Sequence, residues 1–348
     1  AGAAFPFPRE EGEGVSAAAV EVWRGGLIES RHRVSVAVVD AHGRMRAQCG
    51  DPDLVVYARS AVKPFQAMPL VTDGAADQFG LTPPELALCC ASHGGEPRHV
   101  DLARALLRKI GIDEEALACG PHPPMHEGSA RALRESGRQP TRVHNNCSGK
   151  HAGMLALART QGWPTAGYQR ADHPLQQRML REIAEWMRVP AEDIPTAIDG
   201  CGVLTFALPL ARLAGGFARL ATAARKGEEA PARIVAAMVG WPEHVAGSDR
   251  LCTELMRATD GRIFVKVGAE GVYCAGIPGA ELGAALKVED GATRASGPAL
   301  LSVLRNLGLL SDEDMAALAR WAEPDITNTR GERVGAIRAN VRLEPCGG

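Results

Sequence analysis

From residue 15 to residue 50 the chain alternates apolar and polar positions in short runs, VSAAAVEVWRGGLIESRHRVSVAVVDAHGRMRAQCG, broken at Gly25-Gly26 and at Asp40-Ala41-His42-Gly43. A period of two, interrupted by turn residues, predicts an antiparallel meander of strands. From about residue 60 to residue 255 the period lengthens to that of a helix. EPRHVDLARALLRKIGI and HPLQQRMLREIAEWMRV each place apolar residues on one helical face. LTPPELALCCAS predicts a helix start at Thr82, with prolines in the first turn and Glu85 three residues on, the pattern of a capping box. RIFVKVGAEGVYCAGIPG returns to strand, turn and strand around Gly268 to Gly271, and GERVGAIRANVRLE reads as a last strand. Strands at both ends and helices between them predict an α+β fold. Its antiparallel sheet comes from residues 15–58 and 260–345, and residues 59–259 are mainly helical. The whole chain, 1–348, is read as one domain.

Composition narrows the function classes. The formal net charge is -2 and no basic run is interleaved with aromatics, which argues against a nucleic-acid partner. The longest apolar stretches, such as GVLTFALPLARLAGG, fall short of a membrane span. The start, AGAAFPFPREEGEG, lacks the basic and then apolar segments of a secretory signal. Nine cysteines, an odd number scattered through a large chain, do not form a disulfide framework and suggest a reducing cytoplasm. Only six of the 39 basic residues are lysine: Lys63, Lys109, Lys150, Lys226, Lys266 and Lys287. Where a basic surface position defaults to arginine, each lysine is a candidate for chemistry.

In YARSAVKPF, a helix starting at Ser60 puts Ser60 and Lys63 on one face, one turn apart. Pro64 then falls in the first turn, where its missing N–H costs little, although it disfavours the helical conformation at Lys63. Alone, such a pair is a cap and a solvated charge. Two further sites change its weight. CCASHGGEP supplies Ser92 at a helix end, and FVKVGAEG supplies Lys266-Val267-Gly268 on a strand. The order matches the serine hydrolases of the penicillin-binding type, with a Ser-x-x-Lys, a later serine and a strand lysine followed by glycine. A lysine among Phe264, Val265 and Val267 is poorly placed for a casual charge, and Gly268 is expected to let a substrate lie against the strand edge. The three sites point to Ser/Lys acyl transfer.

A second polar cluster, VHNNCSGKHAGML, and the segment AIDGCGVLTF carry His144, Cys147, Lys150, His151, Asp199 and Cys201. Spacing leaves two readings open: a metal site with thiolate ligands, or small buried thiols beside polar residues at a helix start. Neither C-x-x-C nor H-E-x-x-H is present.

Taken together, ARSAVKPFQ, CCASHGGEPRH, HNNCSGKHAGML, DGCGVLTFALPL and VKVGAEGVY resemble the asparaginase II family of zinc-containing enzymes. The resemblance implies a fold like that of the serine β-lactamases, penicillin-binding proteins and glutaminases, and hydrolysis of L-asparagine to L-aspartate and ammonia. It implies catalytic roles for Ser60, the nucleophile, with Lys63, and for a second pair, Ser92 and Lys266. It places Arg59, Asp199, His93 and His151 around the substrate, gives Cys147, Lys150 and Cys201 a Zn2+ ion, and suggests a cytoplasmic homodimer. A glutaminase, another Ser-Lys amidohydrolase or peptidase, and a non-catalytic zinc or ligand-binding module are the rival readings.

Overall fold

The computed structural model describes residues 18–347. Residues 15–17, where the alternating pattern begins, and the leading stretch 1–14 lie outside the described residues. The architecture is mixed α+β, with a curled antiparallel sheet built from both ends of the chain. β1 (Ala18–Arg24), β2 (Leu27–Asp40) and β3 (Met45–Cys49) come from the first part of the chain. β4 (Val55–Tyr57), β5 (Thr196–Ile198) and β6 (Leu204–Pro209) form a separate three-stranded sheet, in the order β4-β6-β5. β7 (Phe264–Val267), β8 (Val272–Ile277), β9 (Leu282–Val288), β10 (Asp325–Thr327), β11 (Arg333–Ala339) and β12 (Glu344–Pro345) complete the large sheet. Its main order is β10-β11-β1-β2-β9-β8-β7, and β3 joins β2 to β12. β7 is thus an edge strand.

The long strand β2 shows how pattern becomes position. Its first half pairs with β1 and alternates in exposure, whereas its second half pairs with β3 and β9 and is buried almost continuously from Val34 to Val39. A strand covered on both faces needs an unbroken apolar run, which VSVAVV provides apart from Ser35. Helix Leu210–Arg225 covers β2, β8 and β9, and helix Thr293–Asn306 packs against β1, β9 and β11.

The expected helices Pro83–Cys89, Pro97–Lys109 and Pro174–Met187 are present, and Thr82 and Glu85 form the capping box, with the Thr82 N–H donating to Glu85 at 2.7 Å. Three features refine the division into sheet and helical regions. β4 leaves the large sheet and pairs with β6, about 150 residues away in sequence. The middle region contains β5 and β6. The region 260–345 contains helices Thr293–Asn306, Asp312–Ala317 and Ala319–Ala322. The first of these holds Ala295, Ala299, Leu300, Val303 and Leu304 on a buried helical stripe, despite Pro298 within it. No helix among the described residues is long and apolar enough to cross a membrane.

Candidate active site

Ser60 stands on a short 3-10 turn, Arg59–Val62, which runs directly into helix Lys63–Thr72. Pro64 therefore occupies the second helical position, where its lack of an N–H is harmless. Lys63 takes the helical conformation even so, at φ -57° and ψ -35°. Arg59 sits at φ +50°, a left-handed conformation that costs a non-glycine residue free energy and is held here by its surroundings. β7 lies alongside this turn. An ideal Cβ at Gly268 would come within 2.9 Å of the Ala58 carbonyl oxygen. The glycine behind Lys266 thus admits the chain leading into Ser60, a use different from the close approach of substrate expected of it.

The two lysines converge on Ser92. Lys63 Nζ donates to Ser92 Oγ at 3.0 Å and to the Ala91 carbonyl at 2.5 Å. Lys266 Nζ lies 2.9 Å from the same Ser92 Oγ and donates to the Val267 carbonyl at 2.9 Å. Lys63, Ser92 and Lys266 are all buried, while Ser60 is half-buried and more accessible. Among the described residues, no hydrogen bond joins the Ser60 hydroxyl to Lys63, whose partners are Ala91, Ser92 and Cys147. The Ser92 loop is fixed from outside: its N–H donates to the Val245 carbonyl at 2.9 Å. Burial, and then the neighbouring Lys63 charge, bring Lys266 down from 10.5 to about 7. A group near that value can give or take a proton at neutral pH.

The cysteine cluster adjoins this chain of polar atoms. Helix Ser148–Thr160 begins beside helix Pro83–Cys89 so closely that a Cβ at Gly149 would meet the Leu88 carbonyl oxygen. Glycine is needed there, and the approach brings Cys147, the N-cap residue, to Lys63: Nζ to Sγ is 3.1 Å. Lys150 Nζ lies 3.1 Å from Cys201 Sγ. A hydrogen bond from Cys147, opposed by burial and helped by Lys150, draws the Cys201 thiol down to about 5, so it is a thiolate at neutral pH. Its partner Cys147 is pushed up to about 12, first by that same hydrogen bond and then by burial. Against the cost of burial, Cys201 and Cys147 raise Lys150 above its ordinary value.

Asp199 precedes Cys201 in the turn after β5. Its Oδ1 accepts from Arg59 Nε at 2.7 Å and from the Gly200 N–H at 2.9 Å, and Oδ2 lies 3.8 Å from Cys201 Sγ. Lys150 and Arg59 hold the carboxyl below its usual range, overcoming the opposing effect of burial. The terminal guanidinium nitrogens of Arg59 have no hydrogen-bond partner among the described residues. A cavity of about 560 Å³ lined by Tyr57, Arg59, Glu270 and Lys287 opens beside them. A bigger cavity, about 1310 Å³, is lined by none of the candidate residues.

The two histidines differ. His93 is fully buried and both ring nitrogens are engaged: Nδ1 accepts the Gly95 N–H at 3.1 Å and Nε2 meets Ser148 Oγ at 2.9 Å. It stacks on His99 with ring centroids 4.8 Å apart. Within this structure His93 braces the loop that carries Ser92 and offers no free nitrogen to a substrate. His151 is also buried, and burial pushes it down to about 3. Its Nδ1 lies 2.6 Å from Tyr168 Oη, and its Nε2 has no partner among the described residues. Sequence reasoning missed Tyr168, and no local motif marks it.

The donors beside Asp199 can be tested against a metal. Among the described residues no group of three His, Cys, Asp or Glu side chains could hold one. Two sulfurs and the Lys150 amine make a three-donor set only once Lys150 and Cys147 lose their protons. With one sulfur already a thiolate, the set fits a thiophilic ion such as Zn2+ on that condition.

The family model described as L-asparaginase II matches residues 20–339. No curated protein matches the chain.

Proposed function

The chain belongs to the L-asparaginase II family, and from that premise we propose that it hydrolyses the side-chain amide of L-asparagine to L-aspartate and ammonia through an ester on Ser60. The observation that supports the chemistry is the chain Lys63 Nζ–Ser92 Oγ–Lys266 Nζ, with steps of 3.0 and 2.9 Å, ending on a lysine whose ammonium is near its titration point at neutral pH. Ser60, the accessible hydroxyl at the turn into helix Lys63–Thr72, attacks the amide carbon. Its proton goes to Lys63 as Lys63 passes one through Ser92 to neutral Lys266. Backbone N–H groups at the start of the helix hold the tetrahedral oxyanion. The same chain returns a proton to the leaving nitrogen, the C–N bond breaks, and ammonia departs. Water, giving up a proton to the chain, then attacks the aspartyl ester; the C–Oγ bond breaks, the chain returns that proton to Ser60 Oγ, and L-aspartate departs.

An asparagine zwitterion needs one anchor for each charge. Arg59 takes the carboxylate through its unengaged terminal nitrogens, and ionised Asp199 takes the ammonium. Cys147, Lys150 and Cys201 would hold a Zn2+ ion beside Asp199. When bound, the ion would fix the Asp199 turn against the pocket as a structural Lewis acid. We take the chain as one catalytic unit, with the sheet and helical layers of a serine β-lactamase-like fold, acting in the cytoplasm as a homodimer.

A second reading is favoured by one observation: Ser92, not Ser60, is the serine bonded to both lysines. In that reading Ser92 is the nucleophile. Acid quenching during turnover of L-asparagine, followed by peptide mapping, separates the two. An aspartyl ester on the Ser60 peptide supports the first reading, and an ester on the Ser92 peptide replaces it with the second.

A further inference from the structure

His151 lies on the first turn of helix Ser148–Thr160, its backbone N–H bonded to the Cys147 carbonyl at 3.0 Å, so its side chain shares a helical face with Cys147. The ring's orientation is set from outside the helix. Tyr168 Oη is 2.6 Å from His151 Nδ1, and the same oxygen accepts the Ala118 backbone N–H at 2.9 Å. Two arrangements of hydrogens are possible for this pair. If Nδ1–H donated to the phenol, the Tyr168 O–H would have no acceptor, in a residue 1% exposed, and Nε2 would be a second unpaired atom. If the phenol donates to Nδ1, Tyr168 is fully satisfied, and the only unpaired atom is His151 Nε2, which then carries the hydrogen. The second arrangement leaves one buried polar group unpaired instead of two, and every unpaired buried group is a loss of stability. The pair is left with one unpaired group, the His151 Nε2–H donor, on the helical turn that carries Lys150 and Cys147.

We propose that Tyr168 is a positioning residue that locks His151 in its Nε2–H tautomer, so that this buried donor is presented to an oxygen of the bound amino-acid amide. The proposal rests on the amidohydrolase reading for the identity of that ligand; the lock itself does not. Ala118 belongs to the device, because its N–H occupies the phenol oxygen and sends the phenol hydrogen toward the imidazole. A substrate oxygen that accepts from Nε2 removes the unpaired donor, so its binding is favoured by about the value of one buried hydrogen bond.

The test begins with the unaltered protein, labelled with 15N in its imidazole rings. Long-range 15N–1H correlation reads each histidine's tautomer, and the His151 signals are assigned by their loss in His151→Gln. The expected result is the Nε2–H form in the unaltered protein, giving way in Tyr168→Phe to a mixture or to the Nδ1–H form. Alongside it, KM for L-asparagine rises about tenfold in Tyr168→Phe with a smaller change in kcat, the loss of one hydrogen bond to bound substrate. In a His151→Gln background, where an amide donor has no tautomers, adding Tyr168→Phe changes KM little. An Nδ1–H form in the unaltered protein, or an unchanged tautomer in Tyr168→Phe, overturns the lock. A changed tautomer with unchanged KM, or a KM effect that persists in full in the His151→Gln background, overturns the substrate contact. If the unaltered protein does not turn over asparagine, the amidohydrolase reading and the substrate contact fall together, while the spectrum still decides the lock.

Discussion

Replacing Lys63 by Met removes one of two ammonium groups that share a single hydroxyl. Both Nζ atoms bond Ser92 Oγ, at 3.0 and 2.9 Å, so they stand no further apart than about 6 Å. With an effective dielectric constant of about 20, two unit charges at about 6 Å repel by about 3 kcal/mol, or about 2 pH units. Both groups are buried, so solvent does little to reduce this. Lys266, held at about 7 first by burial and then by Lys63, is therefore expected to rise by as much as 2 pH units or so in Lys63→Met. It should stay below the ordinary lysine value of 10.5, because the burial remains. The assay does not require activity. Brief labelling with an amine-reactive reagent across pH 5–11, on a scale of about six steps, with the Lys266 peptide quantified by mass spectrometry, gives its titration curve in each protein. A shift of only a few tenths of a unit would mean that the two lysines do not meet at Ser92.

Other outcomes follow from the same geometry. Lys266→Arg and Lys63→Arg should each lose most of the rate of ammonia release, because arginine keeps its proton; an active variant removes that lysine from the proton path. Lys266→Met should inactivate the protein yet stabilise it. The depressed ammonium destabilises the fold by about 5 kcal/mol below pH 7, and this penalty shrinks as the pH rises toward 10.5. Urea unfolding at low and high pH checks the sign, and an advantage that grows with pH contradicts it. Asp199→Asn should raise KM for asparagine far more than it lowers kcat, as measured by steady-state kinetics, because it removes the charge facing the substrate ammonium while keeping the shape. Cys147→Ala and Cys201→Ala should each abolish bound zinc in elemental analysis, and zinc affinity of the unaltered protein should fall with falling pH as Lys150 and Cys147 keep their protons. Unchanged zinc in both variants would leave these as ordinary buried thiols.

What the sequence revealed was local. Thr82 and Glu85 announce a helix start within four residues, and Lys266 stands out as a lysine among apolar strand neighbours in an arginine-rich chain. Ser60 and Lys63 were also legible, although the junction between them is a 3-10 turn followed by a helix, so Lys63 reaches past Ser60 to Ser92. That meeting depends on the Ala91 carbonyl and on the Val245 carbonyl that holds the Ser92 loop, and backbone groups leave no signature in side-chain patterns. The pairing of β4 with β6 was hidden for a related reason: a three-residue strand with a partner about 150 residues away has no periodicity to read. Pro298 masked a helix whose buried stripe outweighs the proline. The resemblance places His93 around the substrate, and in the structure Gly95 and Ser148 engage both of its nitrogens. Tyr168 gave no sign at all, since its role depends on Ala118 and His151, far from it in sequence.

In the proposed reaction an accessible serine at the head of helix Lys63–Thr72 attacks the amide of L-asparagine. The most direct measurement is the initial rate of ammonia release from L-asparagine by the purified protein and by Ser60→Ala, side by side at neutral pH. That reaction gives steady release by the unaltered protein and a loss of about a thousandfold or more in Ser60→Ala, with the fold intact by circular dichroism. No release by the unaltered protein, or a near-normal rate in Ser60→Ala, would contradict it.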